Sequence, residues 1–392
     1  MTVPILIDGG SWANGRGFGR FARCLVHAMA AQATPGELGL ILDADSERMY
    51  PIPEGVAMVR VDNVVSPSQA AAAGGARSVG DLFRFARAAK RAKPSVIFFP
   101  ATYTYFPAPG IPTVVTVHDA MAESMPQLIL PSRLDRIRWA AKQRLALRSA
   151  AHVFTVSQTA ASQVGRRLKV PIEKLSVIGE APDPAFHVLA PNLVTAGLAS
   201  LKCERPYLLY VGGFGPHKNV GTLLDAFDIL AHERANLELV LVGSLDDPFL
   251  QSNDSIVDLI KRSEHSTRIR LTGFVSDEDL IVLYNGAVAT ALPSFEEGFG
   301  LTAVESAACG TPVVANRLPS VEESLGDAAL IVDATNPQAL AEGLRRVLDD
   351  HVLRERLSLV GLERAEALSW PRSASVVLDQ LRALAATNVR GT

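Results

Sequence analysis

TALPSFEEGFGLTAVESAACGTPVVAN, residues Thr290 to Asn316, decides the fold. An apolar strand, Val288–Leu292, stops at Pro293 and Ser294. An acidic loop follows, Phe295-Glu296-Glu297-Gly298-Phe299-Gly300, and then a helix from Leu301 to Ala308. Gly310 and Pro312 end the helix, and a second apolar strand, Pro312–Ala315, completes the unit. Strand, loop, helix and strand in this order form one repeat of a parallel α/β sheet. Gly298 and Gly300 let the loop backbone approach a ligand closely. The helix start offers unpaired N–H groups at Gly300, Leu301 and Thr302, which suit a phosphate. Glu297 and Glu305 enclose seven residues, and each carboxylate accepts hydrogen bonds from sugar or ribose hydroxyls. Singly, these features have plainer readings: a helix-dipole partner, or a turn. In combination they give an anion site flanked by two hydroxyl acceptors, the chemistry of a nucleotide sugar.

The same residues resemble the retaining glycosyltransferases of family 4, whose hallmark is a Glu–seven residues–Glu motif within E-G-F-G-L…E-A-x-A-x-G-x-P-V-V. This chain has Glu297-Gly298-Phe299-Gly300-Leu301, then Glu305, Gly310, Pro312, Val313 and Val314. The resemblance covers nearly the whole chain. It implies the α/β fold called GT-B: two Rossmann-like domains facing each other across a cleft, with a C-terminal helix crossing back to the first. The expected boundaries are 1–188 for the acceptor-side domain, 189–204 for a linker, 205–370 for the nucleotide-sugar domain, and 371–392 for the crossover helix and tail.

Bulk properties agree with a soluble globular pair of domains. The chain has 392 residues, is 48% hydrophobic and is 20% charged. Its apolar runs are too short to span a bilayer, and the N-terminus lacks the basic and apolar regions of a signal peptide. Cys24, Cys203 and Cys309 are widely spaced and form no disulfide or metal pattern, so a cytoplasmic location is expected. Charge is uneven: residues 1–190 hold 21 Lys+Arg against 14 Asp+Glu, net +7, and the remainder is net −10. Six of the first-half cations lie between Arg133 and Arg148 on one expected helix. An anionic acceptor, or peripheral contact with an inner membrane face through 133–148, would explain them. No nucleic-acid partner is expected.

In the first half, strand Val3–Ile7 leads into a glycine-rich stretch containing Gly17 and Gly19, then a helix from about Phe18 to Ala31 and a strand Leu38–Leu42. Gly17-x-Gly19-x-x-Ala22 with Asp43 satisfies a loose dinucleotide fingerprint. Asp43-Ala44-Asp45 is a literal D-x-D string, read here as a surface turn. Residues 66–80 predict a loop. His118-Asp119 close the strand Val114–Val117, at the end where parallel sheets collect ligands. Residues 187–204 have weak periodicity and read as the linker.

In the second half, Gly212-Gly213-Phe214-Gly215-Pro216-His217-Lys218-Asn219 joins strand Tyr207–Val211 to a helix. It resembles the family's phosphate loop, in which an Arg and a Lys hold the diphosphate. Lys218 matches the Lys, and Gly213 stands where the Arg is expected. His217 could then replace the missing cation. By the same resemblance, His118 lies beside the donor sugar, Glu297 binds sugar hydroxyls, Glu305 binds ribose, Phe274 and Val275 read the base, and Gly17 and Gly19 face the donor phosphates. Gly298, Phe299, Gly300, Leu301 and Thr302 complete the donor site. The function implied is transfer of a hexose, from a GDP-mannose-type, dTDP-6-deoxyhexose or UDP-sugar donor, to a saccharide or lipid-linked acceptor hydroxyl. No metal and no cofactor beyond the donor are implied. Two other readings are a non-catalytic sugar-nucleotide-binding protein, suggested by Gly213, and an NAD-dependent dehydrogenase, suggested by the fingerprint.

Overall fold

The computed structural model describes residues 3–15, 17–62, 79–130, 132–203, 206–244 and 255–389. Nearly all of the loop expected over 66–80 lies outside them. The chain divides into two compact units, Met1–Glu180 with Ser369–Thr392, and Ala181–Leu368.

The first unit is built on seven strands among the described residues: β1 (Ile5–Asp8), β2 (Leu38–Leu42), β3 (Ala57–Arg60), β4 (Val96–Phe99), β5 (Thr113–Val117), β6 (Ala150–Thr155) and β7 (Leu175–Val177). All pair in parallel, in the order β3-β2-β1-β4-β5-β6-β7. Every residue of β1, β2, β4 and β5 is buried, as expected of strands covered by helices on both faces. The core joins Leu6, Ile41, Phe85, Phe99, Phe106, Val115 and Val153.

The C-terminal helix Trp370–Val389 packs on the helix Gly17–Ala30 of this unit. Trp370 meets Phe21 edge-on at 5.6 Å. Arg382 donates to both carboxylate oxygens of Glu37, at 2.6 and 2.9 Å. These bonds hold the Glu37 carboxyl down at about 2. A depressed carboxylate stabilises the fold above its unfolded value, and that contribution is lost as pH falls through the folded one. Arg382→Ala is therefore expected to cost about 1–2 kcal/mol at neutral pH, allowing for the exposed face of the guanidinium. Thermal unfolding across pH should show the difference from wild type shrinking from pH 4.5 toward 2. A difference independent of pH would contradict this.

The second unit has six strands among the described residues: β8 (Tyr207–Val211), β9 (Glu238–Val242), β10 (Ile269–Gly273), β11 (Ala289–Leu292), β12 (Val313–Asn316) and β13 (Ala329–Val332). They are again parallel, ordered β10-β9-β8-β11-β12-β13. Leu208, Leu223, Phe227, Leu239, Leu241, Val314, Leu340 and Leu344 form the heart of its core.

The segment read as a linker contains the helix Pro191–Ser200, which packs on the helix Asp277–Gly286 within the second unit. Pro191 starts it, where a missing N–H costs nothing. Val194, Gly197, Leu198 and Leu201 are its more buried positions, at helical spacing. Gly197 hides the period because it carries no apolar side chain, yet it touches its neighbour: an added Cβ would lie 2.7 Å from Val282 Cγ1. The first unit also closes at Glu180, before the boundary expected at 188.

Asp43 is not a surface residue. It is 2% exposed and caps the helix Ala44–Met49, accepting from the amides of Asp45 and Ser46 and from the Ser46 hydroxyl. Its carboxylate is thereby committed to the cap, which removes the ribose partner that a dehydrogenase reading requires. The turn expected at Asp43-Ala44-Asp45 is corrected to this helix start.

Candidate active site

In a parallel sheet, the crevice outside the carboxyl ends of the strands opens where strand order reverses. In the second unit that point lies between β8 and β11. The loop after β8 carries Lys218, and the loop after β11 carries Glu297. Lys218 Nζ lies 2.6 Å from Glu297 Oε1. Ser294 Oγ donates to the same oxygen at 2.6 Å. Both of these bonds fall on Oε1. Burial alone would push the Glu297 carboxyl up; the Lys218 ammonium and the Ser294 hydroxyl outweigh it and hold the carboxyl below its ordinary range.

Backbone bonds fix the two loops to each other. The Phe295 amide donates to the His217 carbonyl at 2.9 Å. Asn219 Nδ2 donates to the carbonyls of Pro293 and Ala334, and Asn316 Nδ2 to that of Ser294. Asn219 sits in the left-handed region, φ 55°, which Asn tolerates better than most residues. Gly300 caps the helix Leu301–Ala308 at φ 87°, a conformation suited to glycine, and turns the helix start toward the loop. Ser294 and Asn316 were not singled out in the sequence; their roles appear only once β11 and β12 lie side by side.

His217 does not supply the missing cation. It is 8% exposed, and burial, then the adjacent Lys218 charge, pushes its imidazole down to about 4. It is neutral at pH 7. Gly213 leaves its carbonyl to the Tyr210 hydroxyl. Glu305 is 0% exposed, with the Tyr284 hydroxyl 3.4 Å from Oε2, so as folded here it offers no surface to a ribose. Phe299 is 6% exposed and thus buried. Phe274 is 66% exposed after β10, beside Val275.

In the first unit the strand order reverses between β1 and β4. Asp8, 0% exposed at the end of β1, accepts from the hydroxyl of Thr104, beyond β4. Arg23 locks the loop after β1, donating to the carbonyls of Trp12 at 2.6 Å and Asn14 at 3.1 Å. Of the two glycines, an added Cβ would collide with the Asn14 carbonyl at Gly19, and would meet nothing within 4 Å at Gly17. His118, one strand further along, is 8% exposed; Nε2 faces the Pro100 carbonyl at 2.9 Å, and Nδ1 lies 3.3 Å from Glu180 Oε1.

A cavity of about 880 Å³ in the second unit is lined by Pro206, Leu237, Val288 and Pro312. These residues precede β8, β9, β11 and β12, so the cavity lies at the opposite end of the sheet from Lys218 and is not the donor site.

Comparison with known proteins decides the family. A model described as glycosyltransferase family 4 matches residues 16–186, and one described as glycosyl transferases group 1 matches 199–361. The chain is 30% identical to the O-antigen chain mannosyltransferase B of Escherichia coli over 69% of its own length and 70% of that protein's. The chain belongs to glycosyltransferase family 4. The O-antigen chain mannosyltransferase RfbU of Salmonella typhimurium is 25% identical to this glycosyltransferase, over 59% of the chain and 60% of the relative. Among solved structures, WaaG, a glycosyltransferase involved in lipopolysaccharide biosynthesis, superposes with a TM-score of 0.75 at 16% identity, covering 96% of this chain and 99% of WaaG. Anabaena HepE in complex with UDP-glucose gives 0.74 at 18%, covering 97% and 99%. The glycosyltransferase thus has the GT-B fold, with the paired Lys218 and Glu297 at the switch point of its second unit.

Proposed function

We propose that this glycosyltransferase moves a hexose from a nucleoside-diphosphate sugar to an acceptor hydroxyl with retention at the anomeric carbon. The observation that carries the reading is the 2.6 Å Lys218–Glu297 pair at the end of β8 and β11. An ammonium has three donors, so Lys218 can keep Glu297 and still donate to a phosphate. The bond from the anomeric carbon to the diphosphate breaks with its electron pair on the phosphate oxygen. Lys218 and the amides of Gly300, Leu301 and Thr302 stabilise that charge. The acceptor oxygen bonds to the anomeric carbon, and its proton passes to the departing phosphate. Glu297 Oε2 accepts a sugar hydroxyl, and Phe274 and Val275 flank the base. No metal or further cofactor enters this scheme.

The mannosyltransferase relatives favour a GDP-mannose-type donor over UDP and dTDP sugars. Thermal unfolding with UDP, GDP, dTDP and ADP tests this, since a ligand at 100 times its Kd stabilises by about 2.7 kcal/mol. GDP should raise Tm most; a larger rise with UDP would transfer the assignment to a UDP-sugar.

A saccharide or lipid-linked acceptor, presented at an anionic membrane face, fits the helix Arg133–Ser149. Leu134, Ile137 and Leu145 are 53%, 66% and 50% exposed, interleaved with exposed Arg133, Arg138, Arg144 and Arg148. Arg136 and Lys142 do not belong to this face, because they donate to the carbonyls of Leu130 and Tyr103. Each exposed cation near an anionic bilayer contributes about 1 kcal/mol, screened by salt. Replacing the four exposed arginines by Gln should abolish sedimentation with phosphatidylglycerol vesicles and leave donor KM unchanged. Equal sedimentation of the variant would remove the membrane from the proposal. No helix among the described residues is long and apolar enough to cross a membrane.

A further inference from the structure

His118 and Glu180 form a buried pair, 8% and 6% exposed. The Pro100 carbonyl can only accept, so the Nε2 that faces it at 2.9 Å must carry a proton. Nδ1 lies 3.3 Å from Glu180 Oε1, within ion-pairing distance of the carboxyl. One ring nitrogen is thus held by a backbone carbonyl, and the other faces the carboxyl. Two aromatic rings pack against the imidazole as well. Phe21 and Phe18 lie nearly perpendicular to it, with ring centroids at 4.5 and 5.0 Å. Glu180 is 6% exposed. A carboxyl this deep is expensive to bury unless its partner is fixed.

The position of the pair adds to its chemistry. Glu180 is the last residue of the first unit before the chain leaves it. The chain re-enters at Ser369, and Trp370, one residue later, packs on Phe21, which packs on His118. The Ser373 hydroxyl also donates to the Gly179 carbonyl at 3.5 Å. The outgoing strand end, the returning helix and the end of β5 are thus fastened around one imidazole.

We propose that Glu180 is a positioning residue for His118, setting the ring and the end of β5 for the transfer step. The inference rests on the reading that His118 serves the reaction. A residue that acts through another shows its effect only while the other is present, so a double-mutant cycle is the test. Glu180→Ala should lower kcat about 10-fold and leave the Kd for the nucleoside diphosphate unchanged, since that ligand is assigned to the second unit. Glu180→Gln can donate its amide to Nδ1 while Nε2 still serves Pro100, so it should retain kcat within about 3-fold. In the His118→Ala background, Glu180→Ala should have no further effect. Additive losses, or a Glu180→Ala enzyme with full kcat, would overturn the proposal. Ring ¹⁵N resonances of selectively labelled histidine supply a readout independent of activity. The His118 signals should move on Glu180→Ala and stay unmoved if the pair does not exist in solution. A His118→Ala enzyme with full activity would instead refute the site reading, and the ¹⁵N signals would still decide the pairing.

Discussion

Lys218→Ala is expected to lower kcat roughly 10²–10³-fold, the range for removing one preorganised donor from a developing oxyanion. The loss should be large because the usual second cation is absent: Gly213 holds its place, and burial keeps His217 neutral. A stability effect must be separated from the catalytic one. Removing Lys218 leaves the Glu297 carboxylate, 11% exposed at its side chain, without its cation. Its burial would then be opposed mainly by the Ser294 hydroxyl, and the carboxyl would rise from its wild-type position. In wild type the carboxyl is depressed, so the pair stabilises the fold above pH about 4.5 and loses that contribution in acid. In Lys218→Ala this dependence should weaken or vanish. The double variant Lys218→Ala with Glu297→Gln should recover Tm without recovering kcat. Near-normal turnover in the single variant would place the diphosphate clamp elsewhere.

Gly19→Ala should be the most damaging single-methyl change in the first unit. A Cβ there would lie 1.9 Å from the Asn14 carbonyl oxygen and 2.9 Å from Arg23 Nη1. Neither neighbour can give way easily. Arg23 is held by two carbonyls and lies over the Tyr50 ring at 3.8 Å. Overpacking of this kind costs about 1–3 kcal/mol, or roughly 2–12 °C in Tm for a unit of this size. Activity should fall with it as the loop after β1 is displaced. Gly17→Ala is the control: nothing lies within 4 Å of its Cβ, so stability should not drop. Equal behaviour of the two variants would show that the loop packing is not as described.

The same physics explains what was readable beforehand. Strand β11, the helix Leu301–Ala308 and β12 were legible to within a residue, because buried parallel strands are short apolar runs and Pro and Gly punctuate them. Strand β3 was not, because an edge strand that is only half buried leaves no continuous run. The helix Pro191–Ser200 was missed because a glycine occupied one of its contact positions.

The site divides in the same way. Lys218 and Glu297 were visible as chemistry after two strands, but they lie 79 positions apart and only the sheet order makes them neighbours. Residue type suggested a cation at His217, whereas burial decides its charge. Glu180 carried no sequence signal at all. Its partner lies on another strand end, and a lone Glu before Ala-Pro looks like any loop residue. The fingerprint around Gly17 and Asp43 failed because a helix cap consumes the carboxylate it requires.

The central claim is that the second unit holds a nucleoside diphosphate through Lys218. Isothermal titration of wild type and Lys218→Ala with GDP, UDP and dTDP tests it without needing an acceptor. Wild type should bind at least one of the three, and Lys218→Ala should bind the same one at least 10-fold more weakly, a loss of about 1.4 kcal/mol. Equal affinity in the two proteins, or binding of none of the three by a folded wild type, would contradict it.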